Sequence, residues 1–415
     1  MKQMGIVFSH SDYIKKSHGT ERCIREIRAE LLRNDADFIQ VFPIRNKILL
    51  KCGLEMVGVN HGDDFLGIYR LREIPVLFHQ ICVQDGYEEG IVQIHHLLFY
   101  NLSTLAEVIK NISRPTIMMI HDYFTICTQV NLIDSNGHFC GVERPSENKC
   151  AKCEYFESGL KQYVSVKKFL NEIKGVLKQI ITPSDFVRRT WSIAFPDYQD
   201  YVTVRPHLEF VGNRKEHKKN DKIRLCYVGV QNDFKGFNEW QELADRLKDN
   251  SYYELHYFGG GKQELPGVKN HYVSISDQGE DAMIKELIRN NTDVCLFWPN
   301  WSETYSYVFY ELLCSGTMVV TNTIAGNVTD MVTQIGNGRI FESKEEMFSY
   351  FASPVMIESD LQFYRENKSY PEKIIPNRDV SMFISNDHLQ SKTKRKAGKW
   401  RLLTTYYLKK VRPEL

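Results

Sequence analysis

Two acids, a lysine and a histidine carry the chemistry this sequence offers. Glu303 and Glu311 stand seven residues apart in DVCLFWPNWSETYSYVFYELLCSGTMVVTNTIAGN, residues 293–327. Lys235 sits in a Gly229-x5-Lys235-Gly236 pattern, and His121 precedes Asp122 in TIMMIHDYF, residues 116–124. Two carboxylates repel phosphate but accept hydrogen bonds from hydroxyls, and a lysine reaches phosphates as a mobile point charge. Together these types suit a sugar carried on a nucleoside diphosphate, with Glu303 taking sugar hydroxyls and Glu311 those of the ribose.

The elements around them must bring these groups together. Residues 294–298 form a short apolar run closed by Pro299, the pattern of a buried strand. Residues 305–315 place Val308, Phe309, Leu312 and Leu313 at helical spacing, with Gly316 as the stop, and 318–321 read as the next strand. Glu303 then lies in the loop at the helix mouth and Glu311 about two turns inside. The first residues of such a helix (Thr304, Tyr305, Ser306) offer unpaired backbone N–H groups and a positive dipole end to a diphosphate. Helical side chains lean toward the N-terminus, so Glu311 can point back to the same pocket.

The rest of the chain alternates strands and helices. Residues 4–9 read as a strand, and a polar loop ending at Gly19 feeds a helix opened by Thr20, with Cys23, Ile24, Ile27 and Leu31 on one face. Strands follow at 37–44, 91–97 and 116–120, with a helix at 103–112, while 45–90 read only as mixed strand, loop and helix. His95 and His96 close one strand and point to opposite faces, so at most one meets a given pocket. His121 and Asp122 fall at the C-terminal end of another, where ligands of open parallel sheets gather. A helix at 162–177, a strand at 179–182, a helix capped by Ser184 and a strand at 201–206 complete this half. The charged, apolar-free run at 212–221 is the natural linker. The pattern then restarts: a strand at 223–230, a helix, a strand ending in Gly259–Gly261 that allows close backbone approach, a helix near 280–289 and the unit already described. Asn337-Gly338 reads as a turn. The alternation predicts α/β domains built on parallel sheets.

Bulk properties narrow the class. With 415 residues the chain is long enough for two domains. A formal net charge of +1 gives no global pull toward nucleic acid, and no apolar run approaches the length of a membrane span. The N-terminus enters a strand without the apolar stretch of a secretion signal, so a cytoplasmic protein is expected, its ten cysteines reduced or metal-bound. Cys127, Cys140, Cys150 and Cys153, spaced C-x12-C-x9-C-x2-C, could hold a structural zinc tetrahedrally in a loop without a core of its own.

The pattern S-E-T-Y-S-Y-x-x-x-E-x-x-x-x-G followed by a strand resembles the donor-site signature of family 4 of the retaining glycosyltransferases, and the further matches extend the resemblance over most of the chain. The resemblance implies the GT-B fold: two Rossmann-like domains facing each other across a cleft, with a C-terminal helix crossing back to the first. On that frame 1–211 is an acceptor domain, 212–380 the donor domain with Gly229, Lys235, Glu303, Thr304, Tyr305, Ser306 and Glu311, and 381–415 the returning segment. It further implies that Gly19 and Thr20 lie near acceptor and diphosphate, that His121 contacts the donor sugar near the reaction centre, and that transfer retains configuration without a catalytic metal. Cysteine-bearing loops after a His-Asp strand also occur among such relatives.

One departure stands out. The family usually has an arginine after the first glycine, where this chain has Val230; Arg224 is no obvious substitute, and Arg188 or Arg189 would have to cross from the other domain. The tail carries nine Lys/Arg between Lys392 and Arg412, interleaved with aromatic and leucine side chains. It fits packing on the first domain and also contact with an anionic membrane surface. The expected activity is transfer of a sugar from a nucleotide-diphospho-sugar to a glycan or lipid-linked glycan, in bacterial surface-polysaccharide assembly at the inner membrane face. The alternatives are a non-catalytic binding subunit and a nucleotide-sugar epimerase on the same fold.

Overall fold

The structure, a computed structural model, describes residues 2–16, 18–45, 53–141, 143–214 and 218–385. The predicted returning helix and basic tail at 386–415 lie outside the described residues.

The first half contributes β1 (Gln3–Phe8), β2 (Ala36–Pro43), β3 (Met56–His61), β4 (Asp64–Arg70), β5 (Glu88–Ile94), β6 (Thr116–Met119), β7 (Leu177–Thr182) and β8 (Val202–Val204). They form one sheet in the order β4-β3-β2-β1-β5-β6-β7-β8. Pairing is parallel from β2 through β8, and antiparallel where β3 and β4 fold into an edge hairpin. That hairpin and the helix Ile74–Asp85 account for much of the stretch that sequence left as mixed. Strand β1 is buried on both faces: Met4, Ile6 and Phe8 enter one core, Val7 the other. A strand covered by helices on both sides therefore reads as a continuous apolar run.

The second half holds β10 (Ile223–Val228), β11 (Tyr253–Gly259), β12 (Val268–Tyr272), β13 (Val294–Leu296), β14 (Met318–Asn322) and β15 (Gly338–Phe341), all parallel, in the order β12-β11-β10-β13-β14-β15. Leu225 and Tyr227 face one core and Cys226 and Val228 the other. A third, two-stranded sheet pairs β9 (Leu208–Val211) with β16 (Lys373–Pro376), and so closes the second half beside the segment that enters it. After β16 the chain returns to the first half. Val380 and Phe383 join the core behind the helix Gly19–Arg33, Arg205 donates to the carbonyls of Asn377 and Asp379, and Ser385 exchanges hydrogen bonds with Gln3.

Three predicted boundaries shift. The helix expected at 162–177 runs Phe156–Ile173, and the one expected from 305 starts at Tyr307 because Ser306 turns the chain at φ 63°. The Asn337-Gly338 turn belongs instead to Gly336, the left-handed cap of the helix Asn327–Ile335. Gly338 is already in β15, packed so closely on β14 that a Cβ would run into the Val319 carbonyl.

Candidate functional site

The helix Tyr307–Ser315 points its N-terminus at the junction of the two halves. Its start is fixed by backbone rather than by a side-chain cap, since Ser306 makes no capping bond. The preceding residues are tied to the first half and to the start of β9: Ser184 Oγ donates to Thr304 O at 2.8 Å, Thr304 Oγ1 donates to His121 O at 2.7 Å, and the Leu208 N–H donates to Tyr305 Oη at 3.0 Å. The predicted Ser184 cap is present, accepting from the Val187 N–H, and it bridges the halves as well. Thr304 and Tyr305 thus spend their polar side chains on the junction.

Glu303 is buried in the loop just before, held by a bridge to Gly326 whose Asn327 N–H donates to Glu303 O. Its carboxylate meets Lys235 Nζ at 2.5 Å, and that ammonium also lies 4.8 Å from the centre of the Trp301 ring. Lys235 ends a 3-10 turn, Asp233–Lys235, capped by the Asn232 side chain. Gly236 follows at φ 84°, where a Cβ would collide with the Trp298 carbonyl. Gly229, at φ 115°, lets the chain leave β10, and Tyr257 Oη donates to its carbonyl while accepting from the Gly261 N–H. Two glycine positions therefore hold the lysine against the acid. Val230 is 61% exposed, so nothing at that position supplies a cation.

Glu311 has a different neighbour. It is buried and accepts from Arg22 Nη1 at 3.2 Å, across the junction from the helix Gly19–Arg33. Arg22 also donates through Nε to Glu26 at 2.9 Å and lies over the Tyr307 ring, whose hydroxyl donates to Glu26. Burial raises the Glu311 and Glu26 carboxyls above their ordinary value, against the pull of Arg22. For Arg22, burial lowers and the two acids raise, and the acids prevail. Arg22 was missed by sequence reasoning; its signal is a cation one turn into the helix that Gly19 and Thr20 open. Those two sit at the same edge, with Gly19 4.0 Å from the Tyr307 ring by the position a Cβ would take.

His121 follows β6 and is half-buried in the junction. Its Nε2 is 3.1 Å from His95 Nδ1, and its ring lies 5.7 Å from that of His207. Burial, aided by neighbouring imidazoles, holds the His121 and His207 rings well below the ordinary range, hence neutral. His95 and His96 do diverge: His96 bonds Asp122 at 2.9 Å, and Asp122 accepts from the Phe124 N–H, so it orders the loop rather than His121. The cations considered in place of Val230 are engaged elsewhere. Arg188 pairs with Asp185, Arg189 with Asp330, and Arg224 with Glu254 and the Asn290 carbonyl. Arg188 and Arg189 line a separate cavity of about 1020 Å3 with Tyr310 and Asp330, which none of His121, Lys235 or Glu303 borders.

The nine described cysteines are free thiols. Cys127, Cys140, Cys150 and Cys153 are all half-buried in one loop region, where Cys127 feels the charge of Cys150 and Cys153, and Cys140 that of the other three. Four thiols in a stretch of little regular structure suit a zinc ion chemically. Among the described residues, the group whose ligand atoms lie within 4.8 Å of one another is a different one, Cys23, His121 and His207. No described helix is long and apolar enough to cross a membrane.

No protein-family model matches this sequence, and no curated protein matches it. Solved structures do. HepE of Anabaena, crystallised with UDP-glucose, aligns at TM-score 0.52 and 13% identity over 88% of this chain and 93% of its own. A mutant form of S. aureus TarM, in complex with fondaparinux, alpha-GlcNAc-glycerol and UDP, aligns at 0.53 and 9% over 88% and 96%. A glycosyltransferase of Rickettsia africae aligns at 0.51 and 13% over 88% and 94%. At such identities the likeness speaks to architecture. This chain has the GT-B fold.

Proposed function

We propose that the protein is a glycosyltransferase that takes its sugar from a nucleotide-diphospho-sugar, and that residues 1–211 and 212–380 serve as its acceptor and donor domains. The observation that carries this reading is the Lys235–Glu303 contact at the junction of two Rossmann-like halves, beside a helix N-terminus whose preceding Thr304 bonds the His121 carbonyl. A lone buried acid would be costly, and a partly exposed lysine held on it is a replaceable partner. In this reading the donor diphosphate draws Lys235 away, and sugar hydroxyls take over the carboxylate it leaves. As the glycosidic C–O bond breaks, Lys235 and the free N–H groups at the helix start stabilise charge growing on the diphosphate. In this reading His121, held neutral by burial, lies near the reacting face. Glu311 would reach the ribose once Arg22 releases it.

We further propose retention of configuration, with the acceptor attacking from the face the nucleotide leaves, and no catalytic metal. A zinc ion held by Cys127, Cys140, Cys150 and Cys153 would order their loop only, since four thiolates leave no position for substrate. The proposed acceptor is a glycan or lipid-linked glycan, and the setting surface-polysaccharide assembly at the cytoplasmic membrane face. A second reading, a binding subunit without turnover, draws on the ion pair that occupies Glu311. Incubation with a panel of UDP-, dTDP-, GDP- and ADP-sugars separates the two. The enzyme releases nucleotide from one donor, and Glu303→Ala and Lys235→Ala each abolish that release; unchanged turnover in both variants means another pocket does the work. Donor conversion with no acceptor present would point to the epimerase.

A further inference from the structure

Three elements of the first half bring soft metal ligands to one buried point. Cys23 comes from the second turn of the helix Gly19–Arg33, His121 from the end of β6, and His207 from the link between β8 and β9. One ligand atom from each lies within 4.8 Å of the other two, and Cys23 Sγ is 3.4 Å from His207 Nδ1. Cys23 and His207 are buried, while His121 is partly exposed and offers a way in. Acidic clusters on surfaces gather for many reasons. A thiol and two imidazoles drawn from separate elements to a largely buried point are a far less common accident.

The hydrogen bonds also aim the ligands. His95 Nε2 is 3.3 Å from Gln93 Oε1; with the proton on that nitrogen, His95 Nδ1 is an acceptor. In that tautomer His121 Nε2–H donates to His95 Nδ1 at 3.1 Å and the lone pair of His121 lies on Nδ1. This is the arrangement in which one ring nitrogen is fixed so that the other can bind a metal. On the far side the Cys23 thiol faces His207 Nδ1 at 3.4 Å; a thiol that donates there meets the nitrogen's lone pair, the one a metal would take. Nearby charges balance, Arg22 and Arg205 against Glu26 and Glu311.

We propose that Cys23, His121 and His207 form a binding site for a thiophilic divalent cation such as Zn2+, with a fourth position open toward the junction. Binding breaks the Cys23 S–H bond, forms a metal–sulfur bond and releases one proton to solvent; the two imidazoles bind as neutral ligands. Three protein ligands and one open position are the pattern of a zinc that can exchange its fourth ligand. The bound cation would take the His121 ring from any other partner, so loading would set whether that ring is available. The site stands whether or not the proposed transfer does.

The test needs no substrate. Chelator-stripped full-length protein is titrated with Co2+, with visible bands, thiolate-to-cobalt charge transfer and proton release recorded. A Cys150→Ser/Cys153→Ser background removes the other cysteine-rich candidate. There the protein takes up one Co2+ with tetrahedral bands, one thiolate's worth of charge transfer and one proton released. Cys23→Ala and His207→Gln each abolish this uptake, and His95→Ala weakens it about 10–100-fold. If the background variant fails to fold, native mass spectrometry of the zinc-loaded full chain replaces it, and His207→Gln then carries one zinc fewer than wild type. Equal metal content in wild type, Cys23→Ala and His207→Gln overturns the proposal, as does Co2+ uptake with no thiolate band.

Discussion

The Lys235–Glu303 and Arg22–Glu311 contacts pair the same two kinds of charge, at opposite ends of one short stretch, and differ in every physical respect that matters. Lys235 and Glu303 both belong to the second half, and the lysine keeps 38% of its side chain in solvent. The ammonium can swing into solvent, but it leaves Glu303 buried, so the exchange is cheap only where a ligand takes over the carboxylate. Arg22 and Glu311 come from different halves, are both buried, and share their site with Glu26 and Tyr307. Losing either partner there strands a charge away from water. In the proposed reading the first contact is exchanged for a ligand; the second joins the two halves. A donor that uses both acids must therefore open the second, and the two halves would move when it does.

The strongest way to break this comparison is Arg22→Met. It leaves Glu26 and Glu311 buried without their cation, and unfolding free energy should fall by roughly 3–5 kcal/mol. Urea denaturation measures this, and adding Glu311→Leu should restore much of the loss by refilling the site with apolar volume. A drop under about 1 kcal/mol would mean that this contact does not fasten the halves.

Gly236→Ala probes the other contact through its backbone. A left-handed φ and a collision with the Trp298 carbonyl should cost about 1–3 kcal/mol and displace Lys235. Wild-type stability in this variant would show that the turn does not hold the lysine in place. Ser184→Ala removes both a helix cap and the bond to Thr304 O, for about 1 kcal/mol. Its thermal shift should exceed that of Ser343→Ala, which loses a cap alone.

The smallest expected effect is in pH. Glu26 and Glu311 are raised from an ordinary 4.5 by burial. Folding then favours their protonated forms. The stabilisation is complete below 4.5 and fades as pH climbs through the folded-state values. Glu26→Gln mimics one protonated acid, so its stability relative to wild type should grow from pH 4.5 toward neutrality. A difference that is flat with pH would mean that the acid cluster does not titrate as described.

What could be read beforehand follows from locality. The helix with Phe309 and Leu312 inward and Gly316 as its stop was visible because its signals sit within one window. Strand β1 and the Ser184 cap were visible for the same reason. Strand β12 escaped because its sequence, VKNHY, is a half-exposed edge without apolar alternation, and β9 and β16 because each is four residues long. Glu303 and Lys235 could be singled out as types, but their contact joins residues 68 apart. Arg22 looked like any helix-surface cation, because burial by the other half leaves no mark in its own segment. Cys23 read as core and His207 as nothing at all, although they meet His121.

The central claim is that an activated sugar binds where Lys235 now rests on Glu303. Isothermal titration with the panel of nucleotide-sugars tests it most directly, on wild type, Lys235→Ala and Arg188→Ala. The account predicts one donor that binds wild type and Arg188→Ala alike and binds Lys235→Ala about 100-fold more weakly or worse. A donor that binds Lys235→Ala as well as wild type, or none that binds wild type, would contradict it.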